Sequence, residues 1–390
     1  MIRALAALLL LAFAVPAEAQ PELGQLFSDH AVLQRGRPIA VWGTAAAGER
    51  VTVSLGRASR TATADAAGEW RVELPAMAAG GPYRLTARSA AGTAAADDIL
   101  VGDVWLCSGQ SNMELTVSRA LNGPNDAQAA NDPELRLLTV PHLSAQAPAP
   151  RFAADVAWHA ADPQAVSDFS AACYYMVREL RRSQRVPIGA IAASWGGTPI
   201  RAWLDQRAAA ATGGEAYVLF DLYRRDPAAA NRAFGERWAE WWRGVSGDAP
   251  GAEPWHDSRR LRWSRVPRMA YWETWGDPAF AEFNGMVWMR KRFTLTPQEA
   301  AQGATLSLTV VDELDQTFVN GVAVGGRYSW EAPRDYAVPP GLLHAGENEV
   351  LVNVFDGSGA GGLQGPAERV RLTLADGSVK PLGEGWEYSV

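Results

Sequence analysis

The spacing of apolar residues changes along this chain, and the changes divide it into regions with different folds. In residues 20–98 apolar residues alternate with polar ones, as at Val51, Val53 and Leu55. Turn residues such as Ala-Gly-Glu and Gly-Gly-Pro fill the gaps between these runs. Alternation is typical of strands with one buried face, so this region predicts a β-sandwich of about 80 residues.

Residues 99–282 follow a different pattern, which predicts part of a parallel α/β domain. The near-continuous apolar run at 99–106 is expected for a strand that is covered on both faces. Apolar residues then recur with helical spacing over residues 169–180, and a second apolar run follows at 188–193. Strand, helix and strand in this order predict two parallel strands joined by a right-handed crossover. Residues 228–243 predict one further helix.

The alternation returns in residues 283–390, which predict a second all-β domain. Asn320 and Gly321 lie between two alternating runs, and Asp376 and Gly377 lie between two others. Asn-Gly and Asp-Gly are preferred in two-residue hairpin turns. The chain is therefore predicted to be multidomain, with an N-terminal β-sandwich (20–98), a partial α/β parallel-sheet domain (99–282) and a β-sandwich or jelly roll (283–390).

Residues 1–19 are predicted to be a signal peptide for export. Arg3 gives a positive start, and residues 4–15 form an apolar run. Small residues at Ala17 and Ala19 then provide the pattern of a cleavage site. The run is too short to cross a bilayer, and no later stretch reaches about 18 apolar residues. We therefore expect a secreted or periplasmic chain without a membrane span.

The composition argues against several classes of partner and cofactor. The chain has 36 Lys and Arg against 43 Asp and Glu, a net charge of −7, and no long basic run. This balance argues against binding to nucleic acid or to an anionic membrane surface. The 2 Cys and 5 His include no pattern typical of a metal site, so no metal or cofactor is expected. In an exported chain Cys107 and Cys173 could form a disulfide, with two buried thiols as the alternative.

One stretch carries candidate catalytic residues. Ser111 follows the first predicted strand of the α/β region, at the edge where open α/β sheets bind their ligands. Parallel neighbours end at the same edge, so Gly196 or Gly197 after the second strand could aim a backbone N–H beside Ser111. A helix opening at 114–120 would add its N-terminal amides. This predicts a serine nucleophile with a glycine oxyanion donor, as in acyl transfer, and the alternative is that Ser111 caps a helix.

Several blocks of the sequence resemble the sialate O-acetylesterase family, a branch of the SGNH hydrolases. These blocks are LFSDHAVLQRGRPIAVWG (26–43), VWLCSGQSNMEL (104–115), FSAACYYMVREL (169–180), VPIGAIAASWGGTPIRAWL (186–204), VWMRKRFTL (287–295) and DELDQTFVNGVAVG (312–325). The resemblance implies an opening β-domain, an SGNH esterase domain and an inserted jelly roll of the sugar-binding type. It also implies Ser111 as nucleophile and oxyanion donors from the amides of Ser111 and of Gly196 or Gly197. The implied activity is removal of O-acetyl groups from sialic acids or plant polysaccharides, without metal or cofactor.

The chain departs from the family pattern in one respect. Family members continue beyond the jelly roll into a second half of the esterase domain, which supplies an asparagine oxyanion donor and an Asp–His pair. No such blocks occur in these 390 residues. We therefore expect a truncated or split gene product, or a separate chain that supplies the missing half. Of the five histidines, His159 and His256 are the stronger candidates for a base, and His30, His142 and His344 the weaker ones.

Other residues give weaker predictions. Asp312, Glu313 and Asp315 could bind Ca²⁺ or a sugar hydroxyl, but a polar strand end is the favoured interpretation. Residues 356–359 predict a rim loop that could contact sugar. The Trp-rich stretch at 238–242 could stack on glycans, although its helical spacing favours core packing. Together these features leave one alternative to the esterase, a non-catalytic secreted glycan-binding protein with a relic esterase segment.

Overall fold

Residues 20–143, 149–152 and 154–390 are described by the computed structural model, and the predicted signal peptide lies outside them. The chain divides into two compact units, Met1–Leu204 and Asp205–Val390. Both consist mainly of β-sheet, so the chain is a multidomain, β-rich protein. None of the described helices is long and apolar enough to cross a membrane.

The first unit combines antiparallel and parallel strands. Its strands are β1 (Glu22–Leu23), β2 (Val32–Gln34), β3 (Ile39–Thr44), β4 (Arg50–Leu55), β5 (Ala58–Thr63), β6 (Glu69–Leu74), β7 (Gly80–Arg88), β8 (Thr93–Gly109), β9 (Asp132–Thr139), β10 (His159–Ala161) and β11 (Ile188–Ser194). Its helices are α1 (Ser111–Glu114), α2 (Gly123–Gln128), α3 (Pro163–Ser167) and α4 (Ala171–Gln184).

Two sheets share one core in the N-terminal part of this unit. The three-stranded sheet β1-β3-β6 supplies Val41 and Trp70, and the larger sheet supplies Val51, Val53 and Leu55 from β4. All five side chains are buried, and the residues between them on each strand face outward. The alternation predicted for residues 20–98 is therefore confirmed.

Strand β8 connects this core to the parallel part of the unit. It pairs first with β7 and β2 and then, from Asp103 to Gly109, runs parallel to β11. Because β8 continues without a break, the predicted boundary between residues 98 and 99 does not interrupt the secondary structure. The parallel sheet also contains β9 on the far side of β11, a strand that sequence patterning did not predict.

The second half of β8 is less covered than its apolar sequence predicts. Trp105 is 38% exposed and Leu106 is 67% exposed, so the expectation of cover on both faces is wrong here. Within the described part of the chain, β2 ends opposite Gly102 and no strand replaces it along that edge. Helix α4 covers the opposite face through Cys173 and Val177, as its predicted position requires.

The second unit is built around two antiparallel sheets. Its helices are α5 (Gln206–Thr212), α6 (Gly214–Arg225), α7 (Pro227–Ser246) and α8 (Pro297–Ala300). Its strands are β12 (Ser264–Arg265), β13 (Gly285–Leu295), β14 (Ala304–Asp312), β15 (Leu314–Val319), β16 (Val322–Tyr328), β17 (Pro333–Val338), β18 (Gly346–Asp356), β19 (Gly362–Leu363), β20 (Arg371–Leu374), β21 (Val379–Pro381) and β22 (Glu387–Ser389).

The sheets are β12-β22-β13-β18-β15-β16 and β17-β14-β20-β21, and one apolar core fills the space between them. Asn320 and Gly321 join β15 to β16 with φ angles of +47° and +83°, which confirms the predicted hairpin. Gly377, with φ of +85°, turns the chain between β20 and β21 as predicted.

Residues 205–282 lie in the second unit, whereas the sequence grouped them with the α/β region. Helix α7 confirms the helix predicted at 228–243. The ring centroid of Trp242, on this helix, lies 5.2 Å from that of Trp288 and 6.0 Å from that of Trp255. These contacts hold the segment on the outer face of the six-stranded sheet, and they make the Trp-rich stretch mainly a packing element. Trp241 is the exception, at 44% exposed.

A disulfide joins Cys107 of β8 to Cys173 of α4, 66 residues apart. We expect the double variant Cys107→Ala/Cys173→Ala to lose about 2–4 kcal/mol of unfolding free energy, because a cross-link of this span restricts the unfolded chain. Chemical denaturation followed by near-UV circular dichroism measures the loss. Reductant should bring the wild type to the stability of the variant and leave the variant unchanged. Equal stability of variant and oxidised wild type would contradict the prediction.

Candidate active site

Ser111 lies immediately beyond the carboxyl end of β8. Strand β8 ends at Gly109, whose φ is +153°, and a side chain there would lie 2.7 Å from Met113 Cγ. Glycine therefore allows the chain to turn sharply into α1. That helix is a single turn, and a separate 3-10 turn follows at Val117–Arg119. The helix expected over residues 114–120 does not form as one element.

Gln110, not Ser111, is the N-cap of α1. Its side-chain oxygen Oε1 accepts hydrogen bonds from Ser111 N–H at 3.0 Å and from Ser111 Oγ–H at 2.9 Å. The alternative role of Ser111 as a helix cap is therefore not observed. Its hydroxyl is exposed at the sheet edge, and among the described residues its one partner is a neutral amide oxygen, which is too weak a base to take its proton.

The loop after β11 lies beside Ser111, as expected for parallel neighbours. Ser194 is in register with Gly109, and Trp195 N–H donates to the Gly109 carbonyl oxygen at 2.9 Å. A Cβ atom added to Gly196 would lie 3.7 Å from Ser111 Cα. The structure therefore brings together the candidate nucleophile Ser111 and the glycine loop that the sequence singled out.

The three predicted oxyanion donors have different partners. Ser111 N–H donates to Gln110 Oε1, and Gly196 N–H donates to Glu114 Oε2 at 2.7 Å. Gly197 has φ of +76°, and its N–H has no acceptor among the residues described. The roles of these three amides stay predictions, and their hydrogen bonds distinguish Gly197 as the glycine whose donor is free.

His142 contacts this loop, although the sequence ranked it below His159 and His256. Its Nε2 lies 2.9 Å from the Ser194 carbonyl oxygen and 3.2 Å from Glu114 Oε1. Its ring stacks on Trp195 with centroids 4.4 Å apart. His159 is exposed on the edge strand β10, and His256 belongs to the second unit.

The contacts of Glu114 and His142 join residues far apart in the sequence. His142 and Ser194 are separated by 52 residues, and Glu114 and Gly196 by 82. A loop histidine gives no periodic pattern, so sequence reasoning had no means to place His142. The one available indication for Glu114 was its position three residues after Ser111, on the same face of the helical turn.

The acidic residues predicted at 312–315 have separate roles. The side chain of Asp315 is fully buried. Arg334 Nε donates to its carboxylate at 2.7 Å, and the hydroxyls of Thr317 and Tyr336 donate to it as well. Asp315 thus belongs to an internal ion pair near the start of β15, and Asp312 is the last residue of β14, in line with the favoured interpretation of a polar strand end. Within the described residues no group of three or more His, Cys, Asp or Glu side chains could hold a metal ion.

Asp312 is an acidic residue whose pKa departs from its usual range. Burial, together with the neighbouring carboxylates of Glu313 and Asp356, raises its pKa to about 6. A carboxyl in an unfolded chain titrates near pKa ~3.9. Between these values the folded state binds more protons than the unfolded state, so the contribution of Asp312 to stability falls as pH rises from about 4 to 6.

We therefore expect Asp312→Asn to stabilise the second unit at pH 7 and to have little effect at pH 4, because the amide removes a desolvated charge and its repulsion. Thermal unfolding of both proteins at several pH values between 4 and 7 measures the difference. Glu368→Gln, on an exposed turn, serves as the matched control and should show no pH-dependent difference. A constant offset between Asp312→Asn and wild type over this range would contradict the prediction.

Two sequence relatives of this chain share one name, sialate O-acetylesterase. No protein-family model matches the chain. It is 34% identical over 190 residues to the sialate O-acetylesterase of Homo sapiens, a match covering 44% of this chain and 36% of that protein. The Rattus norvegicus protein of the same name is 34% identical over 205 residues, a match covering 47% of this chain and 38% of that protein. The resemblance to this family is confirmed over the aligned stretch, and the chain spans little more than a third of these relatives' length.

Among solved structures, a carbohydrate acetylesterase from Xanthomonas citri aligns with 87% of this chain and 98% of its own, at 24% identity and a TM-score of 0.48. A β-glucuronidase from Ruminococcus gnavus aligns with 32% of this chain and 23% of its own, at 12% identity and a TM-score of 0.22. None of the relatives supports the expectation that a separate chain supplies a second half of the catalytic domain.

Proposed function

We propose that this chain, a relative of the sialate O-acetylesterases, belongs to an enzyme that hydrolyses O-acetyl esters on carbohydrates with Ser111 as its nucleophile. The observation that carries the proposal is the position of Ser111: exposed, beyond the carboxyl end of β8, and next to the glycine loop that follows β11. Open parallel sheets bind ligands at this edge. The names of the relatives supply the substrate class, an acetylated sugar or glycan.

The reaction follows from the groups at this edge. Ser111 Oγ attacks the acetyl carbonyl carbon while its proton passes to a general base, a transfer worth about 10²–10⁴ in rate. Among the described residues the group bonded to this hydroxyl is Gln110, so the base is a different group that reaches Ser111 when substrate binds. The carbonyl oxygen becomes an oxyanion, which accepts hydrogen bonds from Ser111 N–H and a glycine N–H. The sugar hydroxyl leaves with a proton, and water then releases acetate from Ser111. No metal or cofactor takes part in these steps.

The contacts of Gln110 support a position for the ester oxygen. Its Oε1 already accepts from Ser111 N–H, so it stands where the acetyl carbonyl oxygen would accept the same bond. It also accepts from Ser111 Oγ–H, a contact that must break before the hydroxyl can lose its proton. The ester oxygen would therefore replace Gln110 Oε1 at Ser111 N–H, and the general base would replace it at Ser111 Oγ–H.

The proposal extends to the domains and to the compartment. The parallel strands β8, β9 and β11 would form part of an SGNH-type domain, and the antiparallel sheets of the second unit the sugar-binding-type jelly roll. The Cys107–Cys173 disulfide supports a secreted or periplasmic location, since disulfides persist in oxidising compartments.

We expect the purified chain to hydrolyse p-nitrophenyl acetate, and Ser111→Ala to lower kcat/KM by about 10³-fold or more, because the nucleophile is lost. Ser118→Ala, an exposed serine nearby, is the matched control and should retain the wild-type rate. Release of acetate from O-acetylated sialic acid and from acetylated xylan tests the substrate class. Hydrolysis that Ser111→Ala leaves unchanged would refute the proposal. Glycan binding without any hydrolysis would favour the non-catalytic alternative.

A further inference from the structure

We propose that Glu114 is a positioning residue, an inference that rests on the proposed esterase function. Its carboxylate holds the loop after β11 beside Ser111 by bonding two separate segments at once. Oε2 accepts from Gly196 N–H at 2.7 Å, and Oε1 lies 3.2 Å from His142 Nε2. Glu114 shares the single turn of α1 with Ser111, so both contacts are fixed relative to the nucleophile.

His142 adds two further contacts to the same loop. Both neighbours of its Nε2, the Ser194 carbonyl oxygen and Glu114 Oε1, are acceptors, so Nε2 must carry the proton. Its ring stacks on Trp195 with the planes only 2° apart. His142 therefore holds the carbonyl of Ser194 and the ring of Trp195, and Glu114 holds the amide of Gly196.

This arrangement assigns the glycine donor. Gly196 N–H is committed to a carboxylate in a short, charge-assisted hydrogen bond and cannot point at a substrate at the same time. The N–H of Gly197 has no acceptor in the described part of the chain. Glu114 therefore leaves Gly197 as the donor by fixing the residue before it. Misplacing such a group by about 1 Å can lower the rate by about 10²-fold.

The test compares Glu114→Ala, Glu114→Gln and the control Glu179→Gln, an exposed glutamate of α4. We expect Glu114→Ala to lower kcat for p-nitrophenyl acetate by about 10- to 100-fold with little change in KM, because the oxyanion donor is displaced while the binding surface remains. Glu114→Gln should recover part of the rate, since its amide oxygen still accepts from Gly196. Glu179→Gln should match the wild type.

Amide hydrogen exchange of Gly196 gives a readout that does not depend on activity. Exchange should be faster in Glu114→Ala than in wild type and intermediate in Glu114→Gln. An active wild type whose kcat is unchanged or raised in Glu114→Ala overturns the positioning role alone. A wild type whose rate equals that of Ser111→Ala overturns the proposed function and this role with it. If Glu114→Ala does not fold, a Glu114→Gln protein with faster exchange at Gly196 and a lowered kcat supports the role, whereas faster exchange with unchanged kcat overturns it.

Discussion

The parallel pairing of β11 with β8 is the interaction on which the candidate site depends. It runs in unbroken register from Ile188 opposite Asp103 to Ser194 opposite Gly109. Because both strands end at the same level, the chain turns into α1 from one and into the glycine loop from the other. A slip of one residue would turn every side chain to the opposite face and separate the two loops. The disulfide from β8 to α4 secures the same layer from its covered side.

Local patterns in the sequence predicted the elements that form through local forces. Alternation identified the strands around Val53, the Asn320–Gly321 turn identified its hairpin, and helical spacing identified α4 and α7. Each depends on neighbouring residues and on one buried face, which periodicity records directly. The position of Ser111 followed from the same reasoning, because a strand end and a parallel neighbour determine it.

The features that sequence reasoning missed depend on contacts between distant segments. The apolar sequence around Leu106 predicts a core residue, yet Leu106 is exposed because it points away from the face of β8 that α4 covers through Cys107. Residues 205–282 carry no clear period, because their position is set by tryptophans such as Trp242 packing on Trp288 of another strand. His142 lies in a loop, and its place beside Glu114 results from the fold of the whole layer. None of these pairings leaves a trace in local spacing.

Two of the predicted oxyanion donors, Ser111 N–H and Gly196 N–H, already bond to side-chain oxygens. The chemistry of each oxygen determines how easily a substrate oxygen could replace it. Gln110 Oε1 is neutral, and a neutral hydrogen bond contributes about 0.5–1.5 kcal/mol, so an ester oxygen can replace it with little loss. Glu114 Oε2 is a carboxylate oxygen, and bonds to charged groups contribute about 1.5–3 kcal/mol. Its displacement would also break the contact with His142. In the proposed reaction Gln110 would therefore yield to the ester oxygen while Glu114 stays. Gly197 N–H, which has no acceptor among the described residues, is then the glycine donor that we propose.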